Sequence, residues 1–174
     1  MTLTARDLVL EVGGTVLLDG VHLQVHPGEV IGLVGRNGAG KTSLLRTLAG
    51  AAEARAGSVR RPAATGYLSQ DPRADAVAPD TRCSTHVLSG RGLDVAADEL
   101  EKLEVALTED PSDQAILAFT EARERFERLG GYEADGEVHR LVTGLGLGED
   151  RLSIALGALS GGERRRVELA RILF

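Results

Sequence analysis

The residues best suited to chemistry lie in one octet, Gly35-Arg36-Asn37-Gly38-Ala39-Gly40-Lys41-Thr42, with the spacing G-x-x-x-x-G-K-[ST]. The residue types follow from what a triphosphate needs. Its oxygens must meet several backbone N–H groups at once, and glycines let the backbone curl with no side chains in the way. A helix beginning near Gly40 would aim its positive end at the same anion. Lys41 adds a full charge for the β- and γ-phosphates, and the Thr42 hydroxyl is a ligand for Mg²⁺. A flexible glycine-rich turn is the plain alternative. The octet, however, follows an apolar run and precedes a helical pattern, which is the context phosphate binding requires. No G-x-G-x-x-G opens the turn, so a dinucleotide site is not indicated.

The elements around the octet read as follows. Leu8, Val9, Leu10 and Val12 suggest a strand that breaks at Gly13-Gly14, and Val21, Leu23 and Val25 alternate with polar residues as in a half-buried strand. Pro27-Gly28-Glu29 is a turn. The run 30–34 is nearly all apolar, as expected of a parallel strand covered on both faces. Residues 42–49 have helical spacing, with Gly50 as C-cap. Short strands are expected at 58–60 and 66–69, then an irregular connection over 71–89 with Pro72 and Pro79. Leu93, Ala97, Leu100, Leu103 and Leu107, then Ala115, Phe119, Ala122, Phe126 and Leu129, recur at spacings of three and four. With turn chemistry and a potential Ser112 N-cap between them, they predict an antiparallel helical hairpin. Further helices are expected over 132–141 and from Ser160.

Composition bounds the possibilities. The 174 residues suit one domain, 43% hydrophobic and 26% charged, with two Tyr, three Phe and no Trp, so the core must be built from Leu, Val and Ala. A net charge of −6 argues against a general nucleic-acid coat but leaves room for a local basic patch. The single Cys83 cannot form an intrachain disulfide, and it has no evident base beside it. No run is long enough to span a membrane and no signal core opens the chain, so a cytoplasmic protein is expected. His22, His26, His86 and His139 lack ligand spacing and read as structural or exposed. Arg164-Arg165-Arg166 reads as a solvated helix face.

A second motif narrows the class. In Leu159-Ser160-Gly161-Gly162-Glu163, Ser160 and Glu163 have capping-box spacing, and two glycines in the first turn expose N–H groups to an anion. The pentapeptide resembles the signature of ATP-binding-cassette (ABC) ATPases. Tyr67-Leu68-Ser69-Gln70-Asp71-Pro72 looks like that family's Q-loop. The resemblance runs from Leu8 to Phe174, and it is strongest to the ABC-F type, here its N-terminal cassette. It implies an α/β P-loop NTPase ABC cassette core, with a mixed sheet and helices, plus a helical subdomain containing the hairpin. The expected divisions are a nucleotide-binding core at 1–92, an arm-like hairpin at 93–131, and the rest of the helical subdomain at 132–174.

The same resemblance implies ATP and Mg²⁺ as cofactors. Gly35, Arg36, Asn37, Gly38, Ala39, Gly40, Lys41, Thr42 and Ser43 would hold the nucleotide, with Thr42 and Gln70 on the metal. Ser160, Gly161, Gly162 and Glu163 would face the γ-phosphate on a second cassette, from the same polypeptide or a homodimer partner. ABC-F proteins lack membrane domains and act at the ribosome in translation or antibiotic resistance. A transporter's nucleotide-binding subunit, or a non-hydrolysing ATP-dependent dimerisation module, is the alternative. The chain departs from the family pattern in three places. The Walker B Asp-Glu and switch His are expected beyond Phe174, so no catalytic residue is assigned and the chain should bind ATP without hydrolysing it. Val12 stands where cassettes often stack adenine on an aromatic ring. The hairpin is acidic, with five Lys/Arg against thirteen Asp/Glu between Arg91 and Asp135, which suits a solvated face or a protein partner better than RNA.

Overall fold

The structure is a computed structural model that describes residues 2–70 and 77–174. The chain divides into two compact units, Met1–Tyr67 and Leu68–Phe174.

The first unit is built on an antiparallel sheet of order β2-β1-β3. Strands β1 (Leu3–Val12) and β2 (Thr15–Val25) are joined by Gly13-Gly14. Both glycines have positive φ, 58° and 81°, the combination that lets a two-residue turn match the twist of its strands. Strand β3 (Ala56–Arg60) pairs with the other edge of β1. The buried residues of β1 are Ala5, Leu8 and Leu10. The three-residue step from Ala5 to Leu8 is a β-bulge at Arg6-Asp7, where the register shifts against both neighbours and Asp7 adopts φ 47°. Helix α1 (Lys41–Ala49) lays Leu44 and Leu48 on these residues, and Gly50 ends it in the left-handed conformation at φ 83°.

Two expected strands do not form. Residues 30–34 form no strand, and Val30 and Val34 are 97% and 90% exposed. A continuous apolar strand is stable only with paired neighbours at its edges and helices over its faces. Among the described residues no strand flanks this run. The short strand expected at 66–69 is also absent, for the same lack of a partner.

The second unit is helical: α2 (Cys83–Leu88), α3 (Leu93–Glu109), α4 (Asp113–Arg128), α5 (Ala134–Gly144) and α6 (Gly161–Leu173), with 3-10 turns at Glu149–Ser153 and Leu156–Ala158. Its core gathers Val87, Leu93, Val138, Val142, Leu156 and Val167. The hairpin forms as α3 and α4, and the Ser112 hydroxyl accepts from Ala115 N at 3.3 Å. Its seam is shallow: only Leu93, Ala96 and Ala122 are buried along the two helices.

Three local expectations are corrected. Helix α2 lies inside the stretch expected to be irregular; it is short and uncapped by a side chain, and it is held by packing on α6 and by Cys83 N donating to Ile154 O. The helix expected over 132–141 begins later, at Ala134, and runs to Gly144. Arg164 is buried, because it shares the inward stripe of α6 with Val167 and Glu168, while Arg165 and Arg166 remain exposed. Asp71 and Pro72 of the Q-loop match lie outside the described residues.

A buried ionic cluster ties α2 to α6. Glu168 accepts from His86 Nε2 at 2.8 Å, and from Arg171 Nε at 3.1 and 3.0 Å. Burial opposes its charge, but the hydrogen bonds from His86 and Arg171 outweigh burial and hold the Glu168 pKa at about 2. An unfolded glutamate titrates near 4.3, so the folded state holds this proton less tightly than the unfolded state does. The resulting stability is complete above about pH 5 and is lost as pH falls through the folded value. We expect Glu168→Gln to lower unfolding stability at pH 7 by about 2–3 kcal/mol. In urea titrations its deficit should shrink steadily between pH 5 and pH 2, and a deficit independent of pH would refute the ionic account.

Candidate phosphate-binding site

The octet forms an exposed loop that leads into α1. Two glycines shape it. Gly38 and Gly40 have φ 81° and 85°, where a side chain is strained. Gly40 is also enclosed: a Cβ there would sit 3.3 Å from Leu17 Cβ and 3.4 Å from Leu18 Cγ, both on β2. The hairpin strand therefore fixes the point at which loop becomes helix.

Lys41 closes the loop. Its Nζ donates to Gly35 O at 2.7 Å and to Arg36 O at 2.8 Å, while Ala39 N donates to Arg36 O at 3.2 Å. The ammonium is thus held over the loop with one further donor available to an anion. Helix α1 has no side-chain cap and no acidic residue in its first turn, so its first amides and its positive end are left for a ligand. Thr42 is exposed in that turn and Ser43 is half-buried. The Thr42 hydroxyl and the Gln70 amide oxygen are hard oxygen donors of the kind Mg²⁺ takes, so these residue types fit the ion. Gln70 is exposed at the start of the second unit.

The second candidate group opens α6. Ser160 is its N-cap: Glu163 N donates to Ser160 Oγ at 3.3 Å, and Ser160 N donates to Glu163 Oε2 at 2.9 Å, a complete capping box. Ser160 Oγ also donates to Glu163 Oε2 at 2.6 Å. The Ser160 hydroxyl, then its backbone N–H, lower the Glu163 pKa, with Arg151 adding to the effect from 3.2 Å. Gly161 and Gly162 are exposed, and a Cβ at Gly161 would meet nothing within 4 Å, so the first turn is open to a ligand. The loop residues come together in the first unit and the α6 residues in the second. Sequence reasoning did not anticipate Leu17 and Leu18 as the buttress of Gly40, or Arg151 as a partner of Glu163. The first is a sequence-distant packing contact and the second an ion pair across a 3-10 turn, and neither has a local signature.

Cys83 carries no chemistry here. It is buried, and burial pushes its thiol pKa up, which leaves it unreactive. No group of three or more His, Cys, Asp or Glu among the described residues is arranged to hold a metal.

Known proteins resemble this chain over most of its length. The family model "ABC transporter" matches residues 18–174. A tylosin resistance ATP-binding protein of Streptomyces fradiae is 40% identical over 165 residues, covering 91% of this chain and 30% of the relative. An energy-dependent translational throttle protein of Mycobacterium tuberculosis is 30% identical over 164 residues, covering 92% of this chain and 28% of the relative. Among solved structures, a putative ABC transporter ATP-binding protein from Pyrococcus furiosus superposes with a TM-score of 0.61 at 18% identity, over 99% of this chain and 70% of that one. The chain belongs to the ABC family of ATP-binding cassettes, and it spans about 30% of the length of the first of these relatives. No helix among the described residues is long and apolar enough to cross a membrane.

Two substitutions test the loop. Lys41→Ala should abolish measurable Mg-ATP binding by isothermal titration, and undiminished affinity would sink the assignment. Gly40→Ala should weaken binding and also destabilise the first unit by about 1–2 kcal/mol, because it combines left-handed strain with crowding against Leu17 and Leu18.

Proposed function

We propose that this chain is the nucleotide-binding part of the N-terminal cassette of an ABC-F-type ATPase, which couples Mg-ATP binding to work at the ribosome in translation or antibiotic resistance. The observation that carries the reading is the Lys41-closed loop on the bare N-terminus of α1, in a chain that also carries the capped, glycine-exposed start of α6. The names of the relatives, one a tylosin resistance protein and one a translational throttle, support the ABC-F branch.

In this reading Lys41 and the loop amides would bind the β- and γ-phosphates at the N-terminus of α1. Thr42 and Gln70 are the residues we propose for Mg²⁺, which would supply charge neutralisation on the phosphate oxygens. Ser160 and Gly162 address the γ-phosphate on the second cassette, so the Ser160 hydroxyl must turn from Glu163 towards the ligand when two cassettes close. We place the general-base carboxylate beyond Phe174, and hydrolysis in the intact cytoplasmic protein. The 97% exposure of Val30 supports this placement, since the run 30–34 has the composition of a strand that completes a larger sheet. The acidic hairpin favours a protein neighbour over direct contact with RNA.

The test compares this chain with one extended to the end of its cassette, and with the intact protein. The chain should bind Mg-ATP without releasing phosphate, the extended forms should hydrolyse it, and the intact protein should co-sediment with ribosomes in an ATP-dependent way. Co-purification with a membrane permease instead would establish a transporter subunit. ATP-dependent dimers without phosphate release from the intact protein would establish a dimerisation module.

A further inference from the structure

We propose that the outer face of the three-stranded sheet carries a second oxyanion site, which takes a phosphate group between Arg6 and Arg60. The strand register builds it. Thr4 of β1 is paired with Arg60 of β3, and Arg6 with Ser58, so the two arginines are diagonal neighbours on one face, with Cα atoms about 7–8 Å apart. Together these four residues line a cleft of about 150 Å³, the scale of a single tetrahedral anion rather than a nucleotide. Among the described residues neither guanidinium has a carboxylate partner or a side-chain hydrogen bond. The nearby acids are engaged elsewhere: Asp7 lies 3.2 Å from His22 Nε2, and Glu11 accepts from Arg55 at 2.6 Å.

The bulge fixes this arrangement. Asp7 takes φ 47° and Gly57 takes φ 91°, and a Cβ on Gly57 would fall 2.4 Å from Asp7 O and 2.6 Å from Arg6 O. Only glycine allows β3 to approach β1 this closely. That approach sets Ser58 against Arg6 and stops β3 from slipping by one residue, which would turn Arg60 to the face opposite Arg6. Two guanidinium forks with two hydroxyls are a set of donors matched to phosphate oxygens. The site is separate from the Lys41 loop: α1 packs on the opposite face of the sheet, against Ala5, Leu8 and Leu10. The first unit also has the charge for it, with seven Lys/Arg against five Asp/Glu in a chain of net charge −6.

The phosphate can come from a nucleic-acid backbone or from a small phosphorylated ligand. Two probes distinguish them in the intact protein, in a Lys41→Ala background that silences the nucleotide loop. For a short labelled RNA hairpin, followed by fluorescence anisotropy, Arg6→Gln with Arg60→Gln should weaken binding about tenfold. The slope of log affinity against log salt should become shallower by about one, for the single phosphate left without its two arginines. Inorganic phosphate, followed by isothermal titration, should lose its heat of binding in the same variant. Loss of phosphate binding with RNA affinity unchanged assigns the site to a free phosphorylated ligand. Arg6→Lys with Arg60→Lys keeps the charge but not the forks, and should recover only part of either affinity. If neither probe responds to the glutamine pair, or if that pair weakens Mg-ATP binding in the Lys41 protein, the second site does not exist.

Discussion

The Lys41 ammonium is the point on which the nucleotide-binding end of this chain depends. By donating to the carbonyls of Gly35 and Arg36 it draws the exposed backbone of the loop into a ring, and it does so from the first residue of α1. A loop with so few apolar neighbours has little else to hold it. The bonds that shape it are also the ones that place a positive charge beside the unsatisfied amides of the helix. Loop geometry and anion affinity therefore share one side chain. The anchor of that side chain is hydrophobic: Leu44 and Leu48 seat α1 on Ala5, Leu8 and Leu10, and Leu17 and Leu18 enclose Gly40 from β2.

The helical unit solves a different problem. Its core is aliphatic, and its deeply buried carboxylate, Glu168, is tolerated because His86 and Arg171 supply donors to both of its oxygens. A lone carboxylate at that depth would take up a proton; a carboxylate with these partners stays charged to very low pH. The cluster joins α2 to α6, and so steadies the helix whose N-terminus presents Gly161 and Gly162. The hairpin of α3 and α4, by contrast, has a thin apolar seam and a heavily acidic surface, which leaves it an element of low local stability.

Charge is distributed unevenly between the units. The sheet-bearing unit is slightly basic and the helical unit strongly acidic, so a net charge of −6 conceals surfaces of opposite character. The cations on which both proposed anion sites rest, Lys41 and the Arg6–Arg60 pair, lie on the basic unit.

Local chemistry made much of this legible from the residues alone. The octet ending in Lys41-Thr42, the Gly13-Gly14 turn, the Gly50 and Ser112 caps and the Ser160/Glu163 capping box are each decided within a few residues by backbone sterics and short-range hydrogen bonds, and each forms where its spacing predicts. What tertiary structure alone decided depends on partners distant in sequence. The run 30–34 has a strand's composition, but a strand is a property of its neighbours and none flanks it among the described residues. Cys83–Leu88 lacks a helical signature and becomes a helix because α6 packs on it. Arg164 reads as solvent-facing in a run of three arginines, yet the phase of α6 turns it inward. The bulge at Arg6-Asp7, which sets the sheet's outer face, depends on how closely Gly57 approaches across the ladder. Sterics and capping act over a few residues and so are written into the chain; pairing, packing and helix phase act across it, and only the folded molecule fixes them.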